Sequence, residues 1–255
     1  MWQRRAGRGS GAPEADETPA AIAGVVTAIV ASGRREGRFD VAVDGKSAAV
    51  VSLELIERLG LRVGAVLDEV RGAALADAAA ALGVYDRAVG MLAAQGRSAK
   101  DLRRRLLLKG ARPDHADAAV ERLTAAGFLD DASYARQVAR SRVAGRGDSR
   151  RRVAQVLAQK GVARDVVDEA VRDVFADEAV DEDALVEEAA RKRVRTLGAL
   201  DAATRRRRLY AFLARRGHDG AAIQRVMARV LAEAPEADVD NLDGFDDADG
   251  EGSAE

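Results

Sequence analysis

The sequence predicts a mainly α-helical protein: three tandem three-helix repeats in an elongated curved array, preceded by a small antiparallel β-module. Three observations lead there. The hydrophobic content of 47% is mostly Ala, Val and Leu, while aromatics supply only 4%, which suits close-packed helices better than a sandwich or barrel. From Tyr85 onward apolar residues recur at helical spacing. A block of sequence also returns three times, around Gly110, Gly161 and Gly217, as in repeat architectures.

Taken in order, residues 1–20 are rich in Gly, Pro and charge and lack a period, so they are expected to be disordered. Residues 21–83 form the β-module with short helices. Val25 to Val30 is β-branched, Phe39, Val41 and Val43 alternate with Asp40, Ala42 and Asp44, and Asp44-Gly45 is a hairpin signal ahead of Ser47 to Val51. Ser52 is placed to cap a short helix, Leu53 to Leu59, that Gly60 stops. A further helix is expected from Leu67 to Leu82.

The repeats follow at 84–130, 131–178 and 179–233. Each glycine has a base before it (Lys109, Lys160, Arg216), a leucine four residues before it (Leu106, Leu157, Leu213) and an apolar residue eight before it (Leu102, Val153, Leu209). Ten and thirteen residues after the glycines stand Val120, Val171 and Met227, then Leu123, Val174 and Val230. The glycines are 51 and 56 residues apart. Each unit reads as a leading helix (Tyr85 to Gln95, Ala132 to Ala144, Asp183 to Thr196), a basic middle helix that the glycine terminates in a left-handed conformation, and a third helix. Ser98 with Asp101 resembles a capping box, and Asp114, Asp165 and Asp219 are candidate N-caps of the third helices. Residues 234–255 form an acidic tail, expected to be disordered.

A formal net charge of −1 conceals segregation. Basic blocks lie at Arg97 to Arg112, Arg136 to Arg164 and Arg191 to Arg216, against acidic ones at Asp165 to Glu188 and after Glu233. The chain has no Cys, which removes disulfides, thiolate nucleophiles and Cys-based zinc sites. No apolar run approaches a membrane span and no export signal is legible, so a cytoplasmic protein is expected. His115 and His218 lack further ligands at metal spacing. Asp130-Asp131 reads as a helix N-terminus rather than an acid/base pair. No serine sits in a nucleophile elbow and no glycine run ends in a phosphate loop. Neither a catalytic group, a metal nor a cofactor is expected. Phe128, Tyr134, Phe175, Tyr210 and Phe212 read as core residues.

Several segments resemble the RecX family of recombinase regulators. Leu123-Thr-Ala-Ala-Gly-Phe-Leu-Asp-Asp-Ala-Ser-Tyr-Ala135 is similar to that family's linker between its first two units. Arg97-Ser98-Ala-Lys-Asp101-Leu102 is similar to the start of its first middle helix, and Arg150 to Val162 to its second. The resemblance covers roughly Val25 to Leu231. It implies a non-catalytic monomer that binds the filament formed by RecA on single-stranded DNA and limits its recombinase and co-protease activity, and so acts on DNA repair and the SOS response. The alternative is a helix-turn-helix transcriptional regulator that binds DNA directly.

The runs Arg103-Arg104-Arg105, Arg150-Arg151-Arg152 and Arg205-Arg206-Arg207-Arg208 occupy comparable places on the middle helices. The candidate contacts to partner or DNA are Arg103, Arg104, Lys109, Arg150, Arg151, Lys160, Arg205, Arg206, Arg208 and Arg216, as a cationic stripe suited to carboxylate or phosphate. Successive helical residues are about 100° apart, so three adjacent arginines cannot share one direction. At least one per run is expected to pair internally, with Asp168, Asp173, Glu187 or Glu188 as partners. The acidic tail is either an inert solubilising segment or an internal competitor for these bases.

Overall fold

A computed structural model of the chain describes residues 22–33 and 35–233. The disorder expected at 1–20 and 234–255 therefore falls outside the described residues. Alternating Val-rich segments pair as the sequence pattern requires: β1 (Gly24–Ala31), β2 (Arg38–Val43) and β3 (Lys46–Ser52) form an antiparallel sheet, and a two-residue β4 (Val66–Leu67) joins the outer side of β1 to give the order β3-β2-β1-β4. At the β2–β3 turn Asp44 (φ 49) and Gly45 (φ 79) are both left-handed, the conformation that tight hairpins with Asp-Gly favour. Ser52 caps α1 (Leu53–Arg58) by accepting the Leu55 N–H. Val26, Val41, Val51, Leu55, Leu67 and Leu75 make the core of this module.

The helix that follows differs from the sequence reading. In place of two helices separated near Gly83, one continuous helix, α2 (Glu69–Ala94), begins at its Asp68 cap and runs through Gly83. Leu75 and Leu82 pack on the β-module core, while Val84 and Ala88 pack into the first three-helix unit. An interior glycine costs a helix only about 1 kcal/mol, less than the apolar burial available on both sides of it.

Among the described residues, nine helices then form the three triplets: α2, α3 (Ala99–Leu108) and α4 (Pro113–Ala125); α5 (Asp131–Arg146), α6 (Arg150–Gln159) and α7 (Arg164–Asp177); α8 (Glu182–Arg195), α9 (Ala202–Arg215) and α10 (Gly220–Glu233). Of the twelve apolar positions aligned on the glycines, all but the half-buried Val120 are buried. Gly110, Gly161 and Gly217 have φ of 78°, 81° and 81°, a region costly for any residue with a Cβ. After Gly110, the Ala111 N–H returns to the Leu106 carbonyl at 3.0 Å, closing the helix end.

Of the candidate caps for the third helices, Asp219 accepts from the Ala221 and Ala222 N–H groups and caps α10. Asp114 and Asp165 do not cap: they lie inside the first turns of α4 and α7, whose N-cap positions are Arg112 and Ala163. Pro113 supplies the missing constraint in α4, since proline at the first helical position needs no donor.

The chain divides into two compact units. The first extends to Tyr134 and includes Lys160–Val162; the second holds Ala135–Gln159 and the chain from Ala163. Within the second unit the Ser149 N–H donates to the Arg216 carbonyl at 3.0 Å, so the start of α6 sits on the glycine turn that ends α9. In the first unit the serine at the same place in the repeat, Ser98, reaches the Lys160 carbonyl with its side-chain hydroxyl rather than its backbone N–H.

Candidate partner-binding surface

Counting back from the glycines corrects the alignment of the arginine runs. Arg150 and Arg206 both stand eleven residues before their glycines, whereas Arg103 stands seven before Gly110. The second and third runs are therefore equivalent, and the first lies one helical turn later.

In the first unit the run is largely neutralised. Arg103 pairs with Asp117 of α4, with a second contact at 3.0 Å. Asp101, one turn into α3, receives Arg104 at 2.7 Å, Arg105 at 2.9 Å and Arg97 at 3.2 Å. Burial works to raise the Asp101 carboxyl, but hydrogen bonds from Arg104, Arg105 and Arg97 outweigh it and hold it at about 2. The Lys109 side chain is exposed and meets no carboxylate among the described residues, while Lys160 is half-buried. A groove of about 1050 Å³ in this unit is lined by Arg38, Tyr85, Asp86, Val89 and Phe128. Phe128 is 70% exposed, contrary to its reading as core, because it follows the left-handed Gly127 in the short link between α4 and α5. Tyr210 is also exposed, while Phe175 is buried.

In the second unit Arg150 is held by Glu182 at 2.6 Å and lies 4.5 Å over the Phe175 ring, a cation–π contact. Arg152 donates to Gln155 at 2.8 Å. Arg151, Arg206, Arg207 and Arg208 are exposed, and their side chains reach no partner among the described residues. Arg205 is half-buried, with its Nε enclosed. Arg216 is an internal residue: it lies 4.2 Å over Phe212, and its Nη1 is 3.9 Å from Asp148, which also receives Arg142 at 3.3 Å. Burial lowers the affinity of Arg216 for its proton; Asp148 opposes this, and Arg146, Arg193 and Arg142 reinforce it. Beside it His218 donates from Nε2 to the Gly147 carbonyl at 2.9 Å. Burial lowers its pKa, the Gly147 bond opposing. His115, also buried, meets Asp77 at 3.0 Å.

The acids expected to absorb the runs do not. Asp168 pairs with Arg164, Asp173 with Arg172, Glu187 with Arg191 and Arg229, and Glu188 with Lys192. The first two runs use Asp101, Asp117 and Glu182 instead, whereas no arginine of the third run reaches a carboxylate among the described residues, against the expectation of one internal pair per run; the buried Asp148 serves Arg142. Sequence spacing had a signal for Asp101, which lies three and four residues from its arginines, but none for the pairs that cross between helices. Asp130 caps α5 as expected, through the Ala132 and Ser133 N–H groups, and Asp131 accepts from the Ala99 N–H at the start of α3. Among the described residues no cluster of His or acids could hold a metal, and no helix is long and apolar enough to cross a membrane.

The comparisons with known proteins agree along the helical part of the chain. Family models for the first, second and third three-helix domains of RecX match residues 85–123, 130–171 and 181–227. The regulatory protein RecX of Pelodictyon phaeoclathratiforme is 31% identical over 158 residues, 62% of this chain and 94% of its own. That of Mycobacterium avium is 37% identical over 146 residues, 56% of this chain and 82% of its own. A crystal structure of regulatory protein RecX, 24% identical, shares the fold with a TM-score of 0.61 over 82% of this chain and 99% of that one.

Proposed function

Because this chain belongs to the RecX family of regulatory proteins, we infer that it binds the filament RecA forms on single-stranded DNA and restrains its recombinase and co-protease activity. It acts without catalysis, as a monomer in the cytoplasm, and so limits DNA repair and the SOS response. The observation that carries this reading is the exposed arginine set of the equivalent second and third middle helices, Arg151 with Arg206 to Arg208, left without carboxylate partners among the described residues. Such groups bind phosphate and acidic protein surface in bidentate fashion. Lys109 extends the set in the first unit. Arg103, Arg104 and Arg150 would have to exchange their present carboxylates for the partner's. Lys160 and Arg216 act through the glycine turns rather than by contact.

A duplex-reading transcriptional regulator fits less well. In a three-helix unit of helix-turn-helix type the last helix enters the major groove. Here α7 offers Asp165, Asp168, Glu169, Asp173 and Asp177 against Arg164 and Arg172, a poor match to a groove walled by phosphates. Adding the protein at stoichiometric amounts to RecA filaments on single-stranded DNA tests the reading. ATP hydrolysis is expected to fall; unchanged hydrolysis contradicts it.

A further inference from the structure

The third three-helix unit has one end where cations outnumber acids, and the chain leaves the described structure at that end. Helices α8 and α10 run parallel, as three cross-helix ion pairs four residues apart show: Asp183 with Arg225 at 3.5 Å, Glu187 with Arg229 at 3.2 Å and Arg191 with Glu233 at 3.2 Å. The C-terminus of α10 therefore lies beside the C-terminal half of α8. From that end of α8 the chain passes through a short link, 196–201, into α9, whose first two turns carry Arg205 to Arg208. Along α8 and α10, Arg191, Lys192, Arg225 and Arg229 each reach a carboxylate. At the shared end, Arg195, Arg206, Arg207 and Arg208 are exposed and reach none among the described residues. The start of α9 adds the positive pole of its helix dipole.

From Glu233 the sequence continues for 22 residues, 234–255, with nine carboxylates and no base. The whole chain has a formal net charge of −1, so the remainder is strongly basic. A segment of this length spans roughly 25 Å as a coil, enough to return to the first turns of α9, and tethering gives it a local concentration of order millimolar. The geometry points to residues 234–255 as an internal occupant of this cationic end: the tail's aspartates dock on Arg195 and Arg206 to Arg208 and must be displaced before a polyanion binds there. The proposal rests on the reading that these arginines meet the nucleoprotein partner. It assigns the tail the role of a brake on binding to bare single-stranded DNA, which a multivalent filament surface would overcome.

Two measurements without recombinase test it. The first compares affinity for a fluorescent oligo(dT) of about 30 nucleotides in the full chain, in a variant with Asp240, Asp243, Asp246, Asp247 and Asp249 each changed to Asn, and in both backgrounds with Arg206, Arg207 and Arg208 changed to Gln. Tail neutralisation is expected to tighten binding about 10-fold at roughly 50 mM salt and less than about 2-fold near 500 mM. That gain is expected to vanish in the Gln background. No gain, or a gain that survives the Arg changes as simple net-charge repulsion would, overturns the proposal. The second uses the absence of native Cys: spin labels at Ala203→Cys and Ala248→Cys are expected to show a short-distance population lost at high salt and in the Asn variant. Distances indifferent to both, or a short population that grows with protein concentration and so reports a neighbouring chain's tail, also overturn it. Filament inhibition that survives these failures leaves the proposed function intact, and its loss leaves the docking result intact.

Discussion

Replacing Gly217 with Ala tests the repeat junction, because the cost can be divided into parts. A Cβ at φ 81° costs about 1–2 kcal/mol from backbone strain alone. At Gly217 it would also stand 2.6 Å from the Ser149 Oγ and 2.8 Å from the Arg152 Cβ, inside van der Waals contact. Moving Ser149 away sacrifices its cap on the Arg152 N–H, worth about 1 kcal/mol, and strains the Ser149 N–H bond to Arg216, worth about another. The total is about 3–4 kcal/mol, a fall in Tm on the order of 10 °C. Gly127→Ala is the control: φ is 75° but no atom lies within 4 Å of its Cβ, so only the strain of about 1–2 kcal/mol applies. Thermal and urea unfolding of both variants, followed by far-UV circular dichroism, supplies the comparison. If Gly217→Ala proves no less stable than Gly127→Ala, the close approach of α6 to the glycine turn is wrong.

Asp101→Asn should destabilise the first unit by about 1 kcal/mol at neutral pH, discounting for solvent access. The folded carboxyl at about 2 lies below its ordinary value of 3.8, so its contribution is complete above the unfolded pKa and disappears as pH falls through the folded one; urea titrations between about pH 5 and pH 2 should show a shallower slope in the variant. His218 is likewise depressed below 6.5, so the folded state resists protonation and stability should decline as pH drops through the mid-6 range. His218→Gln should flatten that decline, and identical pH profiles would count against a buried neutral ring. Asp219→Ala should cost about 1 kcal/mol as a lost N-cap, clearly more than Asp114→Ala or Asp165→Ala. Equal losses in chemical denaturation would mean that capping does not distinguish these sites.

The parts of the fold legible in sequence are those where one residue type meets one backbone requirement. A glycine at left-handed φ, with a leucine one turn and an apolar residue two turns before it, recurs around Gly110, Gly161 and Gly217, and those apolar side chains are buried as the spacing demands. Asp44-Gly45 marks its hairpin for the same reason. The run Ala73 to Leu82 gave no such contrast, because alanine fits either face of a helix, and the continuity of α2 through Gly83 was hidden. The two-residue β4 has no period to read. At the surface, the exposed arginines of α6 and α9 were visible as composition. Which of them are spent internally depends on pairings across helices, such as Arg103 with Asp117 and Arg150 with Glu182, that no spacing along one helix encodes. Arg216 shows the difference most clearly, since only the fold places it over Phe212 beside the buried Asp148.

We propose that exposed arginines on the middle helices restrain a recombinase filament. The most direct measurement follows RecA filament growth on single-stranded DNA in real time, with the full chain and with a variant carrying Arg151, Arg206, Arg207 and Arg208 changed to Gln. Growth should be arrested by the full chain and largely restored when the folded variant replaces it. Equal arrest by both proteins, or arrest by neither, would contradict the claim.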